Sequence, residues 1–210
     1  MSEITNKRKN RNIKIAVTAI LSAIAAILQF FEFSIPIMPV FIKLDFSDLP
    51  AILGSFSLGP FYGVIIELIK NLIHLPFGSS LGVGELCNFL LGAVFCLTTG
   101  FIYKYKKTRK GALIATIAGT TLMALASLPL NYFLVYPAYV KIYGMPMSAI
   151  ISMYDQILSG TDSLIKALCI FNIPFTFCKG MIDCIICFSI YKPLSPILKG
   201  NIKKKNIDNI

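Results

Sequence analysis

The chain has 210 residues, of which 56% are hydrophobic and only 14% charged, and its mean hydropathy is +0.74. A soluble domain of this size has no need of so apolar a composition, so the sequence describes an integral membrane protein, folded as one compact domain. The net charge of +10 sits in short basic clusters beside hydrophobic segments, which is a topology signal and not a nucleic-acid surface.

The first stretch, MSEITNKRKNRNIK, is basic, and no small-residue cleavage site follows its apolar run. The first hydrophobic segment, about 13–33, is therefore expected to be a retained span behind a basic tail, 1–12. Along it Ala16, Ala19, Ala23 and Ala26 recur at helical spacing, with Ala19 and Ala23 at the centre. Small residues let another helix approach closely in lipid, and the pattern serves equally for a neighbour in the same chain or for a separate subunit.

Next comes PIMPVFIKLDFSDLP, 36–50, which carries Lys43, Asp45 and Asp48 between hydrophobic segments. Pro36, Pro39 and Pro50 disfavour helix at the residues before them, so the stretch is expected to be an irregular connection, a lid with groups that can hydrogen-bond a ligand. The segment from Leu49 to Leu75 is broken in its middle by Gly59-Pro60 into 49–58 and 60–75. Both halves are short for a bilayer that takes roughly 20 residues to cross, and short helices survive there only where neighbours cover their ends. Longer apolar segments follow at about 83–103, 111–137 and 162–191.

Basic residues cluster around 7–14, 104–110 and 192–205. All three clusters face the cytoplasm only if 49–75 is counted as two spans. The expected fold is thus all-α: six membrane helices, the second and third short, forming a domain over 13–192 in the cell membrane, with cytoplasmic tails 1–12 and 193–210. The lid, the turn from Pro76 to Gly82 and the segment from Ala138 to Thr161 then lie outside, and the last has room for a short surface helix.

Ionisable side chains inside a span cost roughly 2.5–3.5 kcal/mol each on insertion scales, so those present are usually functional. The third segment carries Glu67, Lys70, Asn71 and His74 on one face, the fourth begins with Glu85 and Asn88, the fifth ends with Asn131 and Tyr132, and the sixth has Asn172, Thr176, Lys179 and Asp183 in one stripe. In the six-span arrangement nearly all converge on one outward-facing pocket under the lid. Pairs such as Glu67 with Lys70, or Lys179 with Asp183, also read as ion pairs that merely hold helices together. Phe41, Phe46, Tyr132, Phe133, Tyr136, Phe175 and Phe177 supply aromatic surface for a flat ring, or for the membrane interface.

The six cysteines lie in apolar runs, and Cys184-x-x-Cys187 has no second pair, so packing is a better reading than a metal or redox site. No GxxxxGK[ST] phosphate loop and no HExxH or GxSxG signature occurs, which leaves the chain without an ATP motor and without a catalytic constellation. A membrane enzyme of lipid or isoprenoid metabolism is the rival class. It needs a carboxylate cluster at the cytoplasmic interface, whereas the close pair Asp45 and Asp48 falls outside.

Several stretches together resemble a known family. FIKLDFSDLPA (41–51), Gly59-Pro60 with ELIKNLIH (67–74), VGELCNF (83–89), NYF (131–133) and Lys179-Gly180 are similar to the riboflavin-specific substrate-binding (S) component of energy-coupling factor vitamin transporters. The resemblance runs from the first span to the end of the sixth. It implies capture of riboflavin, with flavin mononucleotide left open as a second cargo, as transported substrate and not as cofactor, in concert with a transmembrane coupling subunit and two ATP-binding-cassette ATPases. An S component for another vitamin shares every feature but the ligand. By position, Asp45 and Phe46 belong to the lid, Asn88 and Asn131 to the polar wall, and Lys179 to the sixth-helix contact, while Ala19 and Ala23 match the motif that docks the coupling subunit; Glu85, Tyr132 and Thr176 join the expected substrate-binding set from their place in the polar stretches above. The family often has asparagine where Thr176 stands, and Asn172, one turn outward, is the amide placed to substitute for it.

Overall fold

A computed structural model describes the backbone of residues 2–198 and the side chains of 7, 8 and 10–190. Most of the expected 193–210 tail, and the side chains of the 192–205 cluster, lie outside the described residues.

The chain runs through α1 (Ser2–Phe30), a short ribbon of β1 (Phe33–Ser34) and β2 (Lys43–Leu44), then α2 (Asp48–Ser57), α3 (Pro60–His74), α4 (Val83–Tyr105) and α5 (Arg109–Leu130). A π-helical turn over Asn131–Val135 leads into α6 (Tyr136–Tyr143), followed by α7 (Met147–Ile157) and α8 (Leu164–Ala167). A second π turn, Leu168–Asn172, opens into α9 (Ile173–Leu198). Among the described residues, four helical stretches are long and apolar enough to cross a membrane: Asn10–Phe30, Val83–Tyr105, Arg109–Tyr143 and Leu164–Ile190.

The break between α2 and α3 falls at Gly59-Pro60 for a backbone reason. Gly59 has φ of 122°, a conformation open to glycine, and Pro60 starts α3 where its missing N–H is not needed. Gly63 then lets the two short helices close on each other, since a Cβ there would lie 2.9 Å from the Ala51 carbonyl oxygen. Leu49, Ile52, Leu53 and Phe56 of α2 pack with Phe95, Met123, Cys184 and Cys187 in the central core. Leu21 and Ala25 of α1 meet Ala51, Ile66 and Cys96 in a second cluster. Cys96, Cys184 and Cys187 are thus packing residues, whereas Cys169 and Cys178 face outward.

Two expectations change in detail. The stretch after α1 is not wholly irregular, and the fold not wholly α-helical, because Phe33 pairs with Leu44 and Ser34 with Lys43 in an antiparallel ribbon. Lys43 also pairs with Glu32 there. The helix expected to end near 137 runs on to Tyr143, where Gly144 at φ 62° ends it.

Candidate functional site

A cavity of about 190 Å³ lies at one end of the helices, between the loop of 31–47, the start of α4, the first π turn and α9. Of the residues singled out from sequence, Asp45, Glu85, Asn88, Asn131, Thr176 and Lys179 line it. Phe46 and Tyr132 are not among its lining residues: Phe46 sits 6.4 Å from the Phe33 ring and Tyr132 packs edge-on against Phe133. Ala19 and Ala23 lie far from it, exposed on the outer face of α1 while Leu21 and Ala25 turn inward.

The polar wall is built from charges held in a chain. Lys179 Nζ lies 3.1 Å from Asp45 Oδ2 and 3.1 Å from Asp48 Oδ2. The other oxygen of Asp48 pairs with Lys70, whose ammonium also donates to Ser47 Oγ at 2.7 Å and lies 2.9 Å from Glu67 Oε2. Asp48 therefore bridges a lysine of α3 to a lysine of α9. Asp45 Oδ1 accepts from the Ser47 amide at 2.7 Å, which shapes the turn into α2. Burial would raise the Asp45 carboxyl, but the neighbouring Lys179 and Lys70 outweigh it and hold the group below its ordinary range.

Spacing alone allows Lys179 to pair with Asp183. The structure directs Lys179 to the loop instead, and both oxygens of the fully buried Asp183 lack a hydrogen-bond partner among the described residues. The suggested pairing of Glu67 with Lys70 is present. The polar face of α3 does not line the cavity. Its members are committed elsewhere: Asn71 accepts from Gln29 Nε2 at 3.1 Å, and His74 Nδ1 is 3.0 Å from Glu85 Oε1. Ser80 holds the second oxygen of Glu85 at 2.5 Å.

The aromatic wall is more specific than the sequence indicated. Phe41, Tyr136 and Phe175 line the cavity together with Tyr139, which the sequence reading had not singled out; Phe133 and Phe177 do not line it. Phe41, at the loop's far end, sits edge-on to Tyr136 and Tyr139 at 6.1 and 5.7 Å between ring centres. Behind it the hydroxyls of Tyr136 and Tyr154 bond each other, Tyr154 donates to Asn172 Oδ1 at 2.7 Å, and Asn172 Nδ2 points back to Tyr136 at 3.4 Å. This closed triangle fastens the start of α6 and the second π turn to α7. It also uses the Asn172 amide, which therefore does not stand in for an asparagine at position 176.

Asn131 Nδ2 donates to the Ser127 carbonyl at 2.7 Å, leaving Oδ1 directed away from its own helix bond. The wall thus offers an amide acceptor, a hydroxyl at Thr176 and an ammonium with one of its three donors beyond the two carboxylates. Set opposite aromatic faces, these groups suit a flat heteroaromatic ring with a hydrogen-bonding edge. At about 190 Å³ the cavity is below the roughly 300–1,000 Å³ of small-molecule sites, so such a ligand requires the loop and wall to part.

Comparison with known proteins gives a consistent result. The model of the family described as ECF transporter, substrate-specific component, matches residues 13–191. The chain is 36% identical over 193 residues to the riboflavin transporter RibU of Staphylococcus aureus (strain TCH60), covering 90% of this chain and 94% of that one. It is 33% identical over 187 residues to the riboflavin transporter FmnP of Bacillus subtilis (strain 168), covering 87% and 92%. A solved structure of the S component of a bacterial ECF transporter superposes with a TM-score of 0.71 at 35% identity, over 90% of this chain and 99% of that one.

Proposed function

The chain belongs to the family of ECF transporter substrate-specific components, and we propose that it captures riboflavin in the cavity beneath the 31–47 loop for uptake across the membrane. It is a transport component and not an enzyme, and riboflavin is its cargo and not a cofactor. The observation that carries the reading is the meeting of Asn131, Thr176 and Lys179 with Phe41, Tyr136, Tyr139 and Phe175 around one cavity, in a chain similar over nine-tenths of its length to riboflavin transporters.

In this reading the isoalloxazine ring slides between the aromatic side chains. Its uracil-like edge alternates acceptor, donor and acceptor. Asn131 Oδ1 takes the ring N–H, and the remaining donor of Lys179 meets a ring carbonyl. The ribityl hydroxyls face Glu85, Asn88, Ser80 and Asp45. The 31–47 loop acts as a lid, latched by Asp45 on Lys179 and by Phe41 on the two tyrosines, with Phe46 in its hinge side and Tyr132 backing the wall.

The lid calls for an outward-facing cavity. We place α2 and α3 as short spans among six over 13–192, with both termini and the Lys104 to Lys110 loop in the cytoplasm. Because the sequence has no phosphate-binding loop, the energy comes from partners: a transmembrane coupling subunit and two ATP-binding-cassette ATPases. The exposed Ala19 and Ala23 on α1 are the docking surface for the coupling subunit, since neither packs inside the chain.

A visible absorption spectrum of the protein purified in mild detergent, with chromophore release and a fluorescence-quenching titration, tests this directly. About one riboflavin released or bound per chain supports the reading; failure to quench riboflavin fluorescence overturns it. Reaction of the Lys104 to Lys110 loop with an impermeant label from outside intact cells overturns the topology.

A further inference from the structure

At the end of the molecule opposite the cavity, a second cleft of about 340 Å³ opens between α1, the start of α3 and the end of α4. Glu85 and Lys104, at the two ends of α4, are about 28 Å apart along the axis, so the clefts are separate. The corner exists because the chain breaks at Gly59-Pro60 and because Gly100 lets α4 come close, where a Cβ would lie 2.7 Å from Pro60 Cα.

Lys14 of α1, Lys104 of α4 and Lys107 after it line this cleft, and its described lining includes no aspartate or glutamate. Lys14 Nζ lies 5.5 Å from the centre of the Tyr62 ring. No carboxylate pairs with any of the three lysines among the described residues. The serine hydroxyls there are already used, Ser55 donating to the Cys96 carbonyl and Ser57 to the Leu53 carbonyl. The positive charge of its described lining is that of the ammonium groups. Three like charges around one concavity repel one another until an anion sits between them.

Beside the lysines, Phe61 and Phe101 meet edge-to-face at 5.8 Å and remain 64% and 39% exposed. Cations and an adjacent exposed apolar pair together fit an amphiphile better than a free ion, because a soluble anion has nothing to place on the rings. We propose that this cleft binds the phosphate headgroup of an anionic phospholipid, with Lys14, Lys104 and Lys107 around the phosphate and the Phe61–Phe101 pair along an acyl chain. Its assignment to the inner leaflet rests on the topology proposed above; the binding itself rests on the lysines and rings alone.

The test is lipid retention by the full chain, equilibrated in detergent with equal phosphatidylglycerol and phosphatidylcholine and read by native mass spectrometry. Wild type is expected to keep about one phosphatidylglycerol per chain, in at least about tenfold preference over phosphatidylcholine, and a Lys14→Ala/Lys104→Ala/Lys107→Ala variant to lose that preference. Arginine at the same three positions should restore it, and Phe61→Ser/Phe101→Ser should weaken it. Equal retention of both lipids by wild type, or full retention by the alanine variant, overturns the proposal. So does displacement of the lipid by millimolar inorganic phosphate, which would mark a site for soluble anions. Riboflavin quenching on the same samples reports separately on the transport reading: its absence falls on that reading, while lipid retention decides this one.

Discussion

Lys179 Nζ stands 3.1 Å from Asp45 Oδ2 although 134 positions separate the two residues in the chain. That contact joins the loop after α1 to the last helix. Lys179 also carries Asp48, so its removal leaves the buried Asp45 without its lysine and the buried Asp48 with Lys70 alone. Lys179→Ala is expected to cost about 3–5 kcal/mol of stability, the usual effect of breaking one side of a buried pair, and to weaken riboflavin on the order of 100-fold. Adding Asp45→Asn to Lys179→Met should recover part of the stability and none of the affinity. Thermal unfolding and quenching titrations in detergent read the two effects apart; recovery of affinity would show that Lys179 does not touch the ligand.

Asp45→Asn alone leaves Lys179 with Asp48 and loosens only the latch. Riboflavin should dissociate severalfold faster with little change in melting temperature, as stopped-flow release would show. The pH dependence follows from the same carboxyl. Its folded value lies below the ordinary 3.8, so the latch is fully formed above that pH and is lost as pH falls through the lowered value. Release rates from wild type should thus stay flat from neutral pH to about 4.5 and rise only in stronger acid, whereas the asparagine variant should be fast throughout.

Tyr154→Phe removes the hydroxyl that accepts from Tyr136 and donates to Asn172, leaving a buried amide oxygen unpaired. A loss of about 1–3 kcal/mol is expected. Since Tyr136 lines the cavity and leans on this triangle, affinity should fall as well, but by less than for Lys179→Ala. Calorimetric unfolding with and without riboflavin checks both parts.

Asp183 is fully buried and neither of its oxygens is hydrogen-bonded among the described residues, in a neighbourhood where Asp45 and Asp48 already share Lys179. Asp183→Asn is expected to raise the melting temperature by a few degrees, because it removes a buried carboxyl for which no partner is present. A drop in melting temperature would reveal an interaction for the carboxyl that the structure does not display.

Much of this was legible in the sequence because membrane spans announce themselves by length and apolarity, and because Gly59-Pro60 can only be a break. The polar residues at the helix ends pointed to one cavity, and Asp45, Asn131 and Lys179 are indeed gathered there. Partnering was not legible. Lys179 and Asp183 share a helix face by spacing, yet a long flexible ammonium goes to whichever carboxylates the loop brings, and loop closure leaves no periodic signal. The α3 polar residues looked like cavity residues for the same reason: a pattern shows the face, not what covers it. The ribbon of Phe33–Ser34 with Lys43–Leu44 is two residues per strand, too short for any alternation to register.

The first π turn sets the phase of everything beyond it. In an uninterrupted α-helix the fifth residue on from Asn131 would be swung about 140° away, so Asn131 and Tyr136 could not both look into the cavity. The wider i to i+5 turn over Asn131–Val135 absorbs one extra residue and brings Tyr136, then Tyr139, back to the same side. Seen this way the turn is an insertion that was kept for its rotation. Straightening it into a regular α-helix with all five residues kept would change the helix length little, yet would turn the whole aromatic wall by about 100° while leaving every ring in place along the sequence.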